Sequence, residues 1–168
     1  TEEHRAVYRI VRESQAAAER NSVPGKSIAT ALDSSVRVRA NGLAALGLIE
    51  SADASFDPPW AADCAAAPQA CRQVMLFSIH GITHGVGLEV HDPLQAYQDG
   101  IFKVGDAFTI EPGLYIAEDA EGVDARYRGI GIRIEDDVLV TAEGHEVLTK
   151  AIPKEIDDIE TIRQGALR

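Results

Sequence analysis

The sequence has few cysteines, few aromatic residues and few basic residues, and each shortage excludes some classes of protein. Its 168 residues include two Cys, one Met and one Trp, and aromatic residues make up 5%. Lysine and arginine number 16 against 27 acidic residues, which gives a formal net charge of −11. Phosphate groups attract basic surfaces, so a chain this acidic is a poor match for nucleic acid or an anionic membrane. We therefore expect neither partner.

The chain also lacks a long apolar run and an initial methionine. No stretch approaches the roughly 20 apolar residues that span a bilayer. The first residues, Thr1, Glu2 and Glu3, lead directly into a helix-like pattern. We expect that an N-terminal part precedes them, and that the 45% of hydrophobic residues form the core of one soluble domain.

The two cysteines, Cys64 and Cys71, lie in the segment DCAAAPQAC. Their spacing is not CxxC and no histidine is nearby, so we do not expect a zinc site there. A small disulfide loop and two free thiols are both compatible with the sequence. We expect a cytoplasmic protein, with a periplasmic or secreted location as the alternative if these two cysteines are bonded.

The hydrophobic pattern predicts an α+β fold in which two helices precede a sheet and a further helix ends the chain. Residues 2–20 and 27–47 have apolar side chains at helical spacing, and Ser27 can cap the second helix. Residues 51–70 are rich in Pro, Ala and Asp and are predicted to form a long surface loop. The last helix is predicted to open at Pro153 and to run over 153–163.

After residue 72 the sequence is typical of an antiparallel sheet, which is predicted to span 74–148. Short β-branched segments bounded by Gly or Pro-Gly recur there. The predicted strands are 74–79, 86–91, 107–111, 114–117, 130–140 and 145–148. Strands that follow one another without intervening helices favour an α+β organisation over alternating βαβ units.

Three of the five histidines lie within FSIHGITHGVGLEVHDP, residues 77–93. The spacing of His80 and His84 matches the zinc-binding HExxH pattern, but no glutamate follows His80. The glycines that follow each cost a helix about 1 kcal/mol. We therefore predict a loop that leads into a strand, on which Glu89 and His91 share one face. Three imidazoles in this setting are candidates for metal binding, proton transfer or hydrogen bonding.

Two glutamates lie in strongly apolar strand sequences. Glu111 lies in FTIEPGLYI, residues 108–116, and Glu135 lies in GIGIRIEDDVLVT, residues 129–141. An ionised carboxylate in such surroundings needs a compensating cation. Arg133 can pair with one of them, but it shares a face with Glu135 and leaves Glu111 without a partner. Two carboxylates and a histidine match the oxygen and nitrogen ligands that divalent metal ions prefer.

The ordered segments HGITHGVGLEVHD, TIEPGLYI and YRGIGIRIEDDVLVT together resemble the pita-bread metallopeptidases. The resemblance covers about residues 1–162 and is greatest to the aminopeptidase P (Xaa-Pro aminopeptidase) branch, with prolidase and methionine aminopeptidase more distant. The segment AEDAEGVDARYRGIGIRIEDD favours that branch over prolidase. The resemblance implies that residues 1–168 form one partial catalytic domain. This domain is the C-terminal part of a pita-bread fold, with helices packed on a curved antiparallel sheet.

The resemblance also implies roles for single residues. Three side chains match metal ligands of the family, namely His84, Glu111 and Glu135. His80 matches a histidine that lies against the substrate near the scissile bond, and His91 matches one that hydrogen-bonds the reacting carbonyl. Arg133 matches an active-site arginine that supports the metal cluster.

The family's site holds two metal ions with five protein ligands, and the remaining two ligands are aspartates on strands that precede the first helix. Asp33, Asp57 and Asp63 do not match those positions. We therefore expect this chain to supply three of the five ligands and to lack the N-terminal lobe and half of the pseudo-twofold fold. By itself it is expected to hold a single ion weakly.

For the whole enzyme, the resemblance implies release of the N-terminal residue from Xaa-Pro peptides. The nucleophile is hydroxide generated between two divalent ions, typically manganese, with cobalt or zinc as alternatives. His91 is expected to stabilise the oxyanion, and Glu111 to carry a proton to the leaving proline nitrogen. The alternative activities are those of a prolidase and of a catalytically inactive half-fold that serves as a binding or assembly module. Pairing with a separate chain that supplies the aspartates, or with further copies in a homo-oligomer, is also compatible with the resemblance.

Overall fold

The computed structural model describes residues 1–59 and 62–166 of the chain. Trp60 and Ala61, which belong to the predicted loop 51–70, lie outside the described residues, as do the last two residues. Two long helices come first, a short helix and five strands follow, and another helix ends the described chain. None of the described helices combines the length and the apolarity that a membrane-spanning segment requires.

The first two helices form an antiparallel pair. They are α1 (Glu2–Asn21) and α2 (Ile28–Ala45), and both start and end within two residues of the predicted bounds. The side chain of Ser27 caps α2 by accepting a backbone hydrogen bond. The helices cross closely at Gly42, where an added Cβ atom would lie 2.6 Å from the side chain of Ile10. Glycine permits this approach because it has no side chain.

A loop joins α2 to a 3-10 helix, Gln73–Phe77, and contains a disulfide between Cys64 and Cys71. Of the two cysteine states compatible with the sequence, the structure therefore has the bonded one. The loop folds back on its own start, since the Phe56 amide donates to the Cys71 carbonyl oxygen at 2.8 Å.

The strand predicted at 74–79 is wrong, because the 3-10 helix occupies most of this segment. Val74 and Phe77 are buried three residues apart, which is the period of a 3-10 helix. Leu76, which a strand would place on the same face as Val74, is 50% exposed.

The strand predicted at 86–91 is also wrong, because the chain turns back on itself there. The Gly85 amide donates to the Asp92 carbonyl oxygen at 2.7 Å, which closes the turn. Glu89 and His91 therefore do not lie on a common strand face, although both side chains line the cavity described below.

The strands form two small antiparallel sheets instead of the single curved sheet expected over 74–148. They are β1 (Ala107–Ile110), β2 (Gly113–Tyr115), β3 (Gly131–Arg133), β4 (Asp136–Thr141) and β5 (Gly144–Val147). One sheet has the order β1-β4-β5, and the other pairs β2 with β3. The predicted strand 130–140 is thus divided, because the chain passes between the sheets at Ile134 and Glu135. Pro112 faces this passage and has no amide hydrogen with which to continue the ladder.

The helices pack on both sheets through two clusters of buried side chains. The first cluster joins α1 and α2 to β2 and β3, and includes Val7, Leu43, Leu114 and Ile130. The second joins the same helices to β1 and β4, and includes the stacked rings of Phe102 and Phe108. Between these clusters the two sheets meet, where β1 ends and β4 begins. A third helix, α3 (Gln95–Asp99), is short and precedes β1.

The last helix, α4 (Ile156–Ala166), begins three residues after Pro153, where the sequence predicted it to open. Lys154 is held before the helix, because its carbonyl oxygen accepts a hydrogen bond from the Tyr8 hydroxyl at 2.6 Å. No residue of α4 is buried, and an ion pair between Arg5 and Glu160 connects it to α1.

Candidate metal centre

Three side chains from distant parts of the sequence converge on one cavity where the two sheets meet. They are His84, Glu111 and Glu135, and one ligand atom of each lies within 4.8 Å of the other two. His84 Nε2 lies 3.2 Å from Glu111 Oε1 and 4.0 Å from Glu135 Oε1. These three residues are the metal ligands expected from the sequence. Their placement makes them a candidate centre for a divalent ion.

The ladder between β1 and β4 places the two glutamates side by side. Ile110 and Asp136 are directly opposite each other at the end of this ladder. Glu111 follows Ile110 and Glu135 precedes Asp136, so both glutamates leave their strands at the same end. Side chains alternate between the faces of a strand, which sends both carboxylates away from the side occupied by Asp136.

The opposite edge of β1 positions the histidine. The Thr109 amide donates to the His84 carbonyl oxygen at 2.9 Å, and the Glu111 amide donates to the Ile82 carbonyl oxygen at 2.8 Å. The segment before Gly85 thus runs alongside β1, and β1 lies between the histidine and the strand that leads from Glu135.

Hydrogen bonds orient the His84 ring for metal binding. Its Nδ1 atom lies 2.9 Å from the Gly85 carbonyl oxygen, and because that oxygen only accepts, the proton lies on Nδ1. The lone pair of Nε2 is then free and directed toward the two carboxylates. Thr109 supports both sides of the site, since its hydroxyl oxygen accepts from the His84 amide at 3.1 Å and its proton points to Glu111 Oε1 at 3.4 Å.

The cavity is strongly acidic. It has a volume of about 340 Å³, and its lining includes the carboxylates of Glu89, Glu111, Glu135 and Asp137. Burial, followed by the charge of Glu111, raises the pKa of Glu135 above its ordinary value. His84 and Arg133 oppose this shift without cancelling it. A bound cation would relieve the repulsion between the carboxylates.

A chain of hydrogen bonds flanks the cavity. Arg133 Nε donates to the Tyr115 hydroxyl oxygen at 2.7 Å, and this hydroxyl lies 2.7 Å from His80 Nε2. His80 Nδ1 lies against the Gly81 carbonyl oxygen, which fixes the proton on Nδ1 and leaves Nε2 to accept from Tyr115. The hydrogen bond that Arg133 donates to the Tyr115 hydroxyl raises the pKa of Arg133 and keeps it charged.

The remaining predicted site residues lie at or next to the cavity. The rings of His91 and His84 meet edge to face with centroids 4.7 Å apart, and Arg133 Nη1 lies 3.8 Å from Glu111 Oε2. His80 reaches the cavity through Tyr115 and Arg133. Tyr115 and Thr109 were missed in the sequence. Thr109 lies two residues before Glu111, so the alternation of strand faces could have identified it, whereas no such spacing marks Tyr115.

The donor set fits a divalent ion of the hard or borderline class. One imidazole nitrogen and two carboxylate groups are the ligands such ions take in proteins, and the free Nε2 atom of His84 points toward both acids. Second contacts to Gly85 and Thr109 hold the ligands in place, as is usual around protein metal sites.

The amino-acid sequence is similar to a known protein family and to several of its members. The profile of metallopeptidase family M24 matches residues 1–142. The chain is 41% identical over 160 residues to the Xaa-Pro aminopeptidase of Haemophilus influenzae, covering 94% of this chain and 34% of that protein. It is 40% identical over 168 residues to the Xaa-Pro aminopeptidase of Escherichia coli, covering 99% of this chain and 35% of that protein. The chain thus spans about a third of the length of these relatives.

Solved structures show the same likeness in three dimensions. Aminopeptidase P from E. coli with the inhibitor Pro-Leu superposes with a TM-score of 0.79 at 38% identity, covering 99% of this chain and 35% of that one. The Pseudomonas aeruginosa aminopeptidase PepP superposes with a TM-score of 0.80 at 35% identity, covering 99% and 36%. The fold described above is therefore shared with about a third of each of these enzymes.

Proposed function

Because the chain belongs to metallopeptidase family M24, we propose that it carries part of the active site of a metal-dependent aminopeptidase. The proposed reaction releases the N-terminal residue from peptides whose second residue is proline. Relatives that match nearly the whole chain are named Xaa-Pro aminopeptidase, which supports this choice of substrate.

The convergence of His84, Glu111 and Glu135 is the observation that carries the proposal. These residues would hold a divalent ion, for which we propose Mn²⁺. When bound, the ion would lower the pKa of a water molecule so that hydroxide is available as a nucleophile near neutral pH. With three ligands from this chain, we propose that the complete centre needs carboxylates from outside it.

The other cavity residues have tasks that follow from their positions. Glu111 is proposed to accept the proton of the attacking water and to deliver it to the leaving proline nitrogen, because its carboxylate borders both His84 and Arg133. His91, packed against the His84 ring, is proposed to donate a hydrogen bond to the developing oxyanion.

The chain from Arg133 through Tyr115 to His80 is proposed to orient the peptide. Arg133 remains charged and holds the Tyr115 hydroxyl, which in turn holds His80. Because these three side chains hold one another by hydrogen bonds, they need not reorganise when the substrate binds. Such preorganised polar groups are the basis of electrostatic stabilisation in enzymes. His80 is proposed to lie beside the scissile bond.

The proposal is tested by incubating the chain with Mn²⁺ and an Xaa-Pro-Xaa tripeptide. We expect Mn²⁺ binding that is lost in Glu135→Gln, and any turnover should be lost with it. The matched control is Glu143→Gln, which removes the charge of an exposed glutamate in the turn between β4 and β5 and should change nothing. A wild-type chain that binds no Mn²⁺ would refute the proposed metal site.

The number of ligands favours one alternative, a half-fold that binds metal or peptide without hydrolysis. Only three residues of the described chain belong to the metal-binding group. This alternative would be supported if the chain binds metal but shows no turnover, both by itself and after addition of the N-terminal part of a relative. Hydrolysis of an Xaa-Pro dipeptide in preference to the tripeptide would favour a prolidase instead.

The disulfide between Cys64 and Cys71 bears on the compartment of the proposed enzyme. Disulfides persist in oxidising compartments, so the bond supports the periplasmic or secreted alternative over the cytoplasm. Titration of free thiols in protein isolated from its natural source tests this point. Two reactive thiols would support the cytoplasm.

A further inference from the structure

We propose that Gln15 is a positioning residue for the candidate metal centre. Its buried side-chain amide ties β1 to β4 at the residue pair from which both candidate metal-binding glutamates emerge. The inference rests on the proposed function, because it takes Glu111 and Glu135 as metal ligands. The hydrogen bonds of Gln15 go to the residues beside these glutamates rather than to the carboxylates themselves.

Gln15 bridges the two strands with a single amide group. It lies within α1, and its side chain is fully buried beneath the sheet. Its Nε2 atom donates to the Ile110 carbonyl oxygen at 3.2 Å and to Asp136 Oδ2 at 3.0 Å. Ile110 and Asp136 are the last directly opposed pair of the β1–β4 ladder. The bridge therefore lies where the two strands part and Glu111 and Glu135 begin.

The amide has one orientation. A carbonyl oxygen and an ionised carboxylate only accept hydrogen bonds, so the nitrogen must face both of them. On the other side, Gln15 Oε1 accepts from Arg12 Nη1 at 3.1 Å. Both hydrogens of the amide are thus used, and a flipped amide would set its oxygen against two acceptors. A side chain held in this way can fix the separation of two strands.

Asp136 is the anchor for this bridge. Its carboxylate is 1% exposed, and it accepts hydrogen bonds from Thr149 Oγ1 at 2.6 Å and from Lys154 Nζ at 2.7 Å. A buried carboxylate with this many donors is held firmly in place. Gln15 connects β1 to Asp136, because its amide donates to the Ile110 carbonyl oxygen as well as to the Asp136 carboxylate.

The anchored pair sets the positions of the two glutamates. Glu111 follows Ile110 and Glu135 precedes Asp136, so a shift between the strands at this pair moves both carboxylates. Ligand atoms must lie within a few tenths of an ångström of their preferred distances for a metal site to bind well. Loss of the bridge should therefore reduce metal affinity even though the three ligands remain.

The test is a titration of the 168-residue chain with Co²⁺, followed by the visible absorption of the bound ion. Gln15→Met keeps the length and burial of the side chain but removes both donors. We expect it to bind Co²⁺ about tenfold more weakly, the lower end of the effect of removing groups that support metal ligands. The absorption bands of bound Co²⁺ should also change, because they report on ligand geometry.

Ser14→Ala is the matched control. Ser14 is the neighbouring residue of α1, is also fully buried, and hydrogen-bonds Ser35 of α2 through its hydroxyl at 2.6 Å. Its removal should lower the resistance of the chain to urea and leave Co²⁺ affinity and absorption unchanged. An equal loss of affinity in Ser14→Ala would overturn the proposal, because the effect would then follow stability alone.

A folded Gln15→Met chain with wild-type affinity and spectrum would overturn the proposal. If that variant does not fold by circular dichroism, Gln15→Asn takes its place, since it keeps the amide but withdraws it by one methylene. Weaker binding in Gln15→Asn supports the proposal, and unchanged binding overturns it. A wild-type chain that binds no Co²⁺ overturns the proposed function and this inference together, whereas wild-type binding with unchanged variants overturns this inference alone.

Discussion

Arg39 of α2 is a buried arginine that has no ion pair among the described residues. Its side chain is 2% exposed, and burial lowers the pKa of its guanidinium to about 10. Its Nη1 atom donates to Ser78 Oγ at 2.7 Å and to the Gly113 carbonyl oxygen at 3.3 Å, whereas Nε has no partner in the described structure. Arg39 thus links α2 to Ser78 and to Gly113. Removing its charge from water costs free energy.

We expect Arg39→Met to raise the free energy of unfolding by about 1 kcal/mol, because replacing a buried ionic group by an apolar one of similar size is often stabilising. Urea denaturation measures the change. Arg37→Met is the control, since Arg37 is half exposed and paired with Asp53, and its loss should change stability by less than about 0.5 kcal/mol. A destabilised Arg39→Met would show that its two hydrogen bonds outweigh the desolvation.

Tyr115→Phe should separate orientation of the substrate from metal binding. It removes the hydroxyl that joins Arg133 to His80 and leaves the three candidate ligands in place. We expect turnover to fall about tenfold, which corresponds to one lost hydrogen bond, with unchanged metal affinity. Steady-state kinetics and a metal titration test both parts. Tyr97→Phe, which alters an exposed tyrosine, is the control, and equal turnover in the two variants would contradict the role of Tyr115.

The sequence made some site residues predictable and concealed others. Glu111 and Glu135 could be identified because an acid in an apolar strand needs a cation, and His84 because it lies in a cluster of histidines. Tyr115 is an ordinary strand residue by composition, and Gln15 an ordinary residue of a helix. Their importance depends on hydrogen bonds to residues distant in sequence, which local patterns do not contain.

At the scale of elements, β1 holds the centre together because it is bordered on both edges. β4 pairs with one edge and the segment before Gly85 with the other. Gly85 itself forms isolated antiparallel β-bridges with two residues, Asp92 and Phe108. The position of His84 therefore depends on how tightly the backbone can turn at the next residue.

Gly85→Ala should displace His84. An added Cβ atom would lie 2.4 Å from the Pro93 carbonyl oxygen, so the backbone must move. We expect a loss of stability of about 1–3 kcal/mol, as for other overpacked sites, and weaker metal binding. Gly81→Ala is the control because nothing lies within 4 Å of its added Cβ. Denaturation and metal titration distinguish them, and identical behaviour of the two variants would refute the argument.

The elements differed in how far local sequence determined them. The two long helices were predictable because their periodicity, caps and breaks agree. The segment 74–79 is mainly apolar and the segment 86–91 alternates in polarity, and strands can have either pattern. Yet most of the first segment is a 3-10 helix and the second is a turn. Packing decides the backbone in the first segment, and in the second Gly85 and Gly87 allow the chain to fold back.

For the molecule as a whole, an ion bound to the candidate centre would act as a link between segments far apart in sequence. His84, Glu111 and Glu135 come from three separate stretches, and only the folded chain brings them together. A ligand that binds only the folded state stabilises it. The centre should therefore report on global stability as well as on chemistry.

Mn²⁺ at 100 times its dissociation constant should raise the free energy of unfolding by about 2.7 kcal/mol. Glu111→Gln should abolish this increment, and Glu143→Gln should retain it. Urea denaturation with Mn²⁺ or with a chelator measures the difference. An increment that survives in Glu111→Gln would mean that the ion binds elsewhere.

The attachment of the C-terminal segment has a consequence for limited proteolysis. No residue of α4 is buried, yet Lys154, just before this helix, supplies the ammonium group that neutralises Asp136 in the interior. A protease that cut between Ile152 and Lys154 would leave a carboxylate buried and uncompensated behind the cavity. Proteolytic removal of this exposed C-terminal segment would thus destabilise the interior of the protein next to the candidate metal centre.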